Sequence, residues 1–132
     1  MPENEFPKLK PHPFRATAPN GTAHAAHDDS APYAELCATS NYTFLHGASQ
    51  PEELVHTAAT LGYRAIALTD LHTCAGLVRA HVAAKEAGIQ FIVGSRLRLI
   101  DVPGISIAVY PTDREAYGRM CRMLSVGKQR AA

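Results

Sequence analysis

The sequence lacks the features that would assign it to several large classes of protein. It has no apolar run long enough to cross a bilayer. Its first residues lack the apolar core of a secretion signal. Its 13 basic and 12 acidic residues leave a net charge of +1, so no overall field favours nucleic acid or a membrane surface. These absences predict a cytoplasmic protein with no membrane partner.

The cysteine content is also low and unpatterned. Cys37, Cys74 and Cys121 are widely spaced and form no CxxC pair. An odd count without a pairing pattern fits a reducing compartment better than a disulfide scaffold, and each cysteine is predicted to be a small buried apolar residue. The sequence contains no phosphate-cradling glycine loop, nucleophile elbow or paired-carboxylate constellation. The absence of these motifs leaves the strand ends as the place to look for a site.

Large apolar residues are scarce in residues 1–32, which hold six of the nine prolines. Such a segment buries too little surface to offset its ordering entropy, so a disordered tail is predicted there. Its three histidines, His12, His24 and His27, have spacings that match no metal site. The remaining residues, 33–132, have room for at most one domain.

The segment 33–54 organises the rest of this domain. It predicts a strand over about 33–39, a polar loop, and a helix whose capping box is formed by Ser49 and Glu52. A polar loop that joins a strand to a helix is where α/β proteins place ligands. The chain then repeats this unit.

The predicted element order is β-α-β-α-β-β-α. The helix-linked strands predict a parallel sheet, and the short turn near residue 103 predicts that the last two strands are antiparallel. The predicted strands cover about 33–39, 65–69, 91–94, 96–100 and 105–110, and the helices about 50–61, 75–87 and 112–127. The helices are predicted to end at Gly62, Gly88 and Gly127, and Thr112 and Glu115 form a second capping box. The predicted apolar faces are Leu54, Val55, Ala58 and Leu61 in the first helix and Tyr117, Met120, Cys121 and Leu124 in the last. An open sheet of so few strands exposes an edge, which proteins usually cover.

Four segments in this order resemble a known family: residues 35–49, 67–70, 91–94 and 110–124. Together they are similar to the N-terminal PHP (polymerase and histidinol phosphatase) domain of bacterial DNA polymerase III alpha-like enzymes, above all the error-prone polymerases of damage-induced mutagenesis. The resemblance implies the first part of a distorted (β/α)7 barrel, with metals at the carboxyl ends of its strands. The polymerase palm, fingers and thumb would lie beyond residue 132, so this fragment is not expected to polymerise DNA alone.

The resemblance also implies a ligand pattern that can be tested by position. The family has His-x-His after the first strand, Asp-His after the second, and Glu two residues after the glycine that ends the third. Only Asp70 matches, since the other positions hold Cys37, Thr39, Leu71 and Arg96. A hydroxyl, an alkyl group and a guanidinium cannot replace imidazole and carboxylate. The family's Zn or Mn is therefore expected to be absent.

Other roles are possible for individual residues at the strand ends. Cys37 could ligate Zn²⁺ as a thiolate, and His72 could restore a site by a shifted register, although a solvated loop histidine is the commoner case. Asp70 is either a remaining ligand or a loop residue. Arg96 stays protonated, so a further hypothesis is an Arg96–Asp70 salt bridge in place of the metal.

The sequence is compatible with three functions. The first is a non-catalytic module at the front of an error-prone polymerase, whose partners are the remaining polymerase chain, mutagenesis accessory proteins, and DNA reached through the parent enzyme with its Mg²⁺. The second is a PHP-type phosphoesterase or 3′–5′ exonuclease, which the ligand pattern disfavours. The third is a free-standing binding protein. The basic C-terminal helix is either a DNA-contacting patch or a solvated face.

Overall fold

The computed structural model describes residues 32–130. The predicted tail over residues 1–32 lies outside them, except for Pro32. The element order matches the prediction: β1 (Ala34–Ala38), α1 (Pro51–Thr60), β2 (Ala65–Leu68), α2 (Leu77–Ala87), β3 (Gln90–Val93), β4 (Ser95–Arg98), β5 (Ser106–Val109) and α3 (Arg114–Arg130).

The three helix-linked strands form a parallel sheet in the order β1-β2-β3. All four residues of β2 are buried because this central strand has a neighbour on each side and helices packed against it. The core is made of β2 and the inner faces of α1 and α2, including Val55, Leu68 and Ala80, each 0% exposed. The carboxyl ends of the three strands therefore meet at one edge of the sheet.

The first two helices end as predicted but begin differently. Gly62 and Gly88 have φ values of 76° and 70°, the left-handed conformation that glycine adopts at a helix end. The capping box predicted for Ser49 and Glu52 is wrong by one residue, because the backbone N–H of Gln50 donates to the Glu53 carboxylate at 2.8 Å. The apolar stripe of α1 is right for Val55 and Ala58, whereas Leu61 lies past the helix and is 61% exposed.

The last two strands form a separate antiparallel pair in which Ser95 faces Val109. A single bridge between Leu71 and Arg96 joins this pair to the segment that follows β2. This bridge places the start of β4 at the carboxyl edge of the parallel sheet, beside the candidate site.

The final helix differs from the prediction at both ends. The Asp113 carboxylate, rather than Thr112, accepts a hydrogen bond from the Ala116 N–H at 2.7 Å and so caps α3. Gly127 does not end the helix, which continues to Arg130 because a glycine inside a helix costs only about 1 kcal/mol. Met120 and Leu124 face the interior as predicted. Between residues 32 and 130 no helix is both long and apolar enough to span a membrane.

Candidate functional site at the strand ends

A buried carboxylate, Asp70, lies where β2 ends, and it is only 2% exposed. Its Oδ1 accepts hydrogen bonds from the Ser40 backbone N–H and the Thr43 hydroxyl, both at 2.7 Å. Its Oδ2 accepts a third, from the Ser40 hydroxyl, at 2.6 Å. Both oxygens are therefore engaged by the loop that follows β1, and the carboxylate holds this loop in place.

The same loop is fixed by further contacts. The Thr43 hydroxyl accepts the Leu71 N–H at 3.0 Å, so it bridges the two strand ends. A Cβ added to Gly47 would lie 1.9 Å from the Ser40 carbonyl oxygen, and only glycine permits this close approach. Leu45 adopts a φ of 64° and is 88% exposed, which is an uncommon backbone conformation for a bulky residue. The loop is thus shaped around Asp70.

Arg96 reaches the end of β1 and not Asp70. Its guanidinium Nη2 donates to the Thr39 hydroxyl at 3.0 Å. The described residues contain two ion pairs, Glu52 with Arg79 and Glu115 with Arg119, so the hypothesis of an Arg96–Asp70 salt bridge is wrong. The physical reason is that Ser40 and Thr43 already donate three hydrogen bonds to the carboxylate, while the Arg96 guanidinium donates to Thr39. Thr39 and Arg96, two of the positions at which the resemblance implies metal ligands, instead form a hydrogen bond with each other.

Tyr110, which follows β5, closes the site from the other side. Its hydroxyl donates to the Leu36 carbonyl at 2.5 Å and lies 3.7 Å from the Cys37 Sγ. A Cβ on Gly94 would approach the Tyr110 ring to 3.0 Å, so the ring lies directly over this glycine. Burial, followed by the contact with Cys37, raises the pKa of Tyr110 to about 12, so the phenol stays protonated at neutral pH. A neutral aromatic ring thus covers part of the strand-end edge.

His72 takes a structural position in the loop after β2. Its backbone has a φ of 55°, its N–H donates to the Arg96 carbonyl at 2.8 Å, and its Nε2 accepts the Arg98 N–H at 3.4 Å. The neighbouring Leu71, at the position where the family has a histidine, is half-buried and bridges to Arg96. The imidazole nitrogen of His72 that faces the protein is therefore already engaged.

The donor set at this edge does not fit a divalent metal. No group of three or more His, Cys, Asp or Glu side chains in the described part of the chain is arranged to hold one. Asp70 is the one carboxylate at the strand ends, and its oxygens already accept three hydrogen bonds. Arg96 adds a fixed positive charge at the position where the resemblance implies a carboxylate. The arrangement can bind its own loops tightly, but it offers no ligand geometry for Zn²⁺ or Mn²⁺.

The remaining histidines and the three cysteines differ in exposure. The histidines at 46, 56 and 81 are exposed. Cys37 is exposed, contrary to the prediction, because β1 is an edge strand, and Cys74 and Cys121 are half-buried. Ser40, Thr43 and Tyr110 were not predicted as site residues. The Ser-x-x-Thr spacing after the first strand was the available signal for the first two, whereas the position of Tyr110 depends on how the β4–β5 pair folds back.

A groove of about 450 Å³ borders β1, which has β2 as its one strand partner among the described residues. Its walls come from β1, α1 and β2 and include Ala38, Leu54 and Ile66. The Glu35 carboxylate accepts the Cys37 N–H at 2.7 Å and the Tyr33 hydroxyl at 2.9 Å. A side chain therefore occupies one of the backbone donors that an edge strand would otherwise present.

Comparison with known proteins assigns the fold and the family. A family model described as the PHP domain matches residues 35–131, so the chain belongs to the PHP domain family. A protein of Bifidobacterium adolescentis described as a metal-dependent phosphoesterase has the same fold, with a TM-score of 0.53 and 20% identity over 70% of this chain and 33% of that one. An amidohydrolase from Chromobacterium violaceum superimposes with a TM-score of 0.52 and 23% identity, covering 67% of this chain and 32% of that one.

More similar relatives bear the name error-prone DNA polymerase. The Rhodopirellula baltica protein is 52% identical over 98 residues, which cover 74% of this chain and 8% of that protein. The Caulobacter vibrioides protein is 50% identical over 99 residues, covering 75% of this chain and 9% of that protein. The chain thus spans less than a tenth of the length of these polymerases. The predicted resemblance to the PHP region of error-prone polymerases is confirmed.

Proposed function

We propose that this chain is the PHP module of an error-prone DNA polymerase and that the module is a metal-free structural element. The observation that carries the proposal is the pairing of Arg96 with Thr39, two positions at which the family pattern places metal ligands. Asp70 also supports the proposal, because its carboxylate already accepts three hydrogen bonds from Ser40 and Thr43. Hydrogen bonds, one of them from a guanidinium, thus join the strand ends, which a metal ion would otherwise join.

In this proposal the synthesis of DNA across damaged templates belongs to the polymerase body. That body would supply the Mg²⁺ site, the DNA contacts and the accessory-protein contacts, and it would act in the cytoplasm. The identity near 50% to proteins named error-prone DNA polymerase supports this assignment. The PHP module would contribute a rigid α/β unit whose strand-end loops are locked by Asp70.

The proposal is tested by metal content. The purified 132-residue chain is incubated with Zn²⁺ or Mn²⁺, desalted and measured by mass spectrometry of the elements. We expect less than about 0.1 metal ion per chain, because one carboxylate that already accepts three hydrogen bonds and one guanidinium cannot replace a ligand set. A matched variant restores the family pattern with Cys37→His, Thr39→His, Leu71→His and Arg96→Glu, and it is expected to retain more metal than the unchanged chain.

The opposite outcome would be one tightly held ion per unchanged chain, lost in both Cys37→Ser and His72→Gln. Such a result would overturn the metal-free assignment and favour a PHP phosphoesterase or exonuclease. Hydrolysis of bis-p-nitrophenyl phosphate by the metal-loaded chain, abolished by the same two changes, would confirm that alternative.

A further inference from the structure

The last helix, α3, concentrates positive charge on an exposed surface. Its 17 residues contain five basic side chains and one acidic side chain, Glu115. All five basic residues are exposed, while Met120 and Leu124 are 3% and 9% exposed. The helix is therefore fixed by its apolar side, and its charges point to solvent.

Helical geometry separates these charges into two groups. At about 100° per residue, Arg122 lies opposite the midpoint of Met120 and Leu124, and three more arginines lie on the same outer half. We call this surface the α3 arginine face, formed by Arg114, Arg119, Arg122 and Arg130. Lys128 lies on the inner flank.

The charges of the α3 arginine face are only partly compensated. Arg119 donates to Glu115 at 2.8 Å, and this pair is solvent-exposed. The other ion pair within residues 32–130 joins α1 to α2, so Arg114, Arg122 and Arg130 have no carboxylate partner there. Glu115 and Asp113, which directly precedes the helix and interacts with Arg119, are the nearby anions, so four cations and two anions leave a local charge of +2 on a chain whose net charge is +1.

The chemistry of this surface fits phosphates on a rigid rod better than other polyanions. Guanidinium groups bind phosphate oxygens with two parallel hydrogen bonds, which lysine cannot do. A membrane-bound helix needs a free apolar side, and here Met120 and Leu124 are already buried in the protein. Single strands are usually held by aromatic stacking, and the outer half of α3 presents Gly118, Val126 and Gln129 between its arginines.

We propose that the α3 arginine face binds the phosphate backbone of duplex DNA without reading its sequence. The surface is distinct from the strand-end site. This DNA contact would lie in the PHP module itself, and it goes beyond the role proposed above, in which DNA is held by the polymerase body.

The test is fluorescence anisotropy of a labelled 20-base-pair duplex titrated with the full chain between 50 and 200 mM NaCl. Four phosphate contacts predict a slope of log affinity against log salt of about −3.6, at about −0.9 per neutralised phosphate. The double variant Arg122→Gln, Arg130→Gln is expected to bind at least about tenfold more weakly at low salt, with a slope near −1.8. Glu115→Gln should strengthen binding about threefold, since it frees Arg119 and removes a repulsive charge.

The matched control removes the same charge from other elements, through Lys85→Gln and Arg98→Gln, both exposed residues. It should leave affinity within about twofold, because those charges lie outside the α3 arginine face. The proposal is overturned if the control weakens binding as much as the α3 variant, if Glu115→Gln has no effect, or if the unchanged chain fails to bind. Equal or tighter binding to single-stranded DNA, or to vesicles with one-third phosphatidylserine, would also overturn it. Circular dichroism verifies that each variant is folded.

Discussion

At the scale of single residues, Asp70 has the clearest structural role. Its carboxylate receives three short hydrogen bonds in a site that is 2% exposed. A buried charge accepting several donors is stabilising only while all partners are present, and removing it leaves those donors without an acceptor. Asp70 therefore controls the order of the loop between β1 and α1.

We expect Asp70→Ala to lower the free energy of unfolding by about 3 kcal/mol, because the Ser40 and Thr43 donors would be left unsatisfied. Urea denaturation followed by circular dichroism measures this change. Asp101→Ala, at an exposed turn position, is the control and should change stability by less than about 0.5 kcal/mol. Equal midpoints for Asp70→Ala and the unchanged chain would contradict the role assigned to this carboxylate.

The three cysteines are predicted to differ in reactivity. Cys37 is exposed, whereas burial, followed by the neighbouring Cys121, raises the pKa of the half-buried Cys74 to about 11. Because the thiolate is the reactive form, iodoacetamide at pH 8 should modify Cys37 first and Cys74 last. Peptide mapping by mass spectrometry after short reaction times gives the order. Modification of Cys74 ahead of Cys37 would show that the loop before α2 opens readily.

At the scale of elements, α3 depends on its N-terminal cap. The Asp113 carboxylate accepts the Ala116 N–H, and this hydrogen bond holds the pKa of Asp113 below its usual value. A carboxylate with a lowered pKa stabilises the folded helix above its ordinary pKa near 4, and this contribution disappears as the pH falls through the lower, folded-state value. The cap should therefore weaken only in acid.

We expect the helical content of the unchanged chain to exceed that of Asp113→Ala at pH 6, and the difference to shrink as the pH falls from about 4 toward 2.5. Circular dichroism at 222 nm, recorded for both proteins across this range, measures the difference. Thr112→Ala serves as the control, since Thr112 was the predicted cap and the structure gives that role to Asp113. A loss of helix in Thr112→Ala as large as that in Asp113→Ala would mean that Thr112 caps the helix as predicted from the sequence.

At the scale of the whole molecule, β1 is an edge strand, since within residues 32–130 it pairs with β2 alone. Unpaired strand edges recruit other strands, and proteins block them with charged side chains. Here Glu35 folds back onto the Cys37 N–H of its own strand. This contact places a carboxylate on the edge and occupies one backbone donor.

Replacing that carboxylate should promote self-association. We expect Glu35→Ala to shift the mass of the chain toward dimer, relative to the unchanged protein, in light scattering after gel filtration at equal concentration. Glu86→Ala removes the same charge from the exposed surface of α2 and should leave the mass unchanged. An identical elution and mass for the unchanged chain and Glu35→Ala would mean that Glu35 does not protect this edge.

The sequence alone determined the element order, because local signals are strong where they do not depend on distant residues. The buried run 65–68 predicted a central parallel strand, and Gly62 and Gly88 predicted helix ends, since only glycine adopts a positive φ there without cost. The family's motif segments also identified the PHP resemblance that the family model confirms. These predictions depend only on residues that are close together in the sequence.

The tertiary structure decided which side chains meet. The sequence predicts that Asp70 and Arg96 lie at one edge of the sheet and that their opposite charges pair. In the structure, Ser40 and Thr43 donate hydrogen bonds to Asp70, whereas the Arg96 guanidinium donates to Thr39. The Tyr110 ring lies over Gly94. Short-range hydrogen bonds depend on angles and distances within a few tenths of an ångström. Such geometry is fixed only when strands distant in sequence pack together, so no pattern in the sequence could specify it.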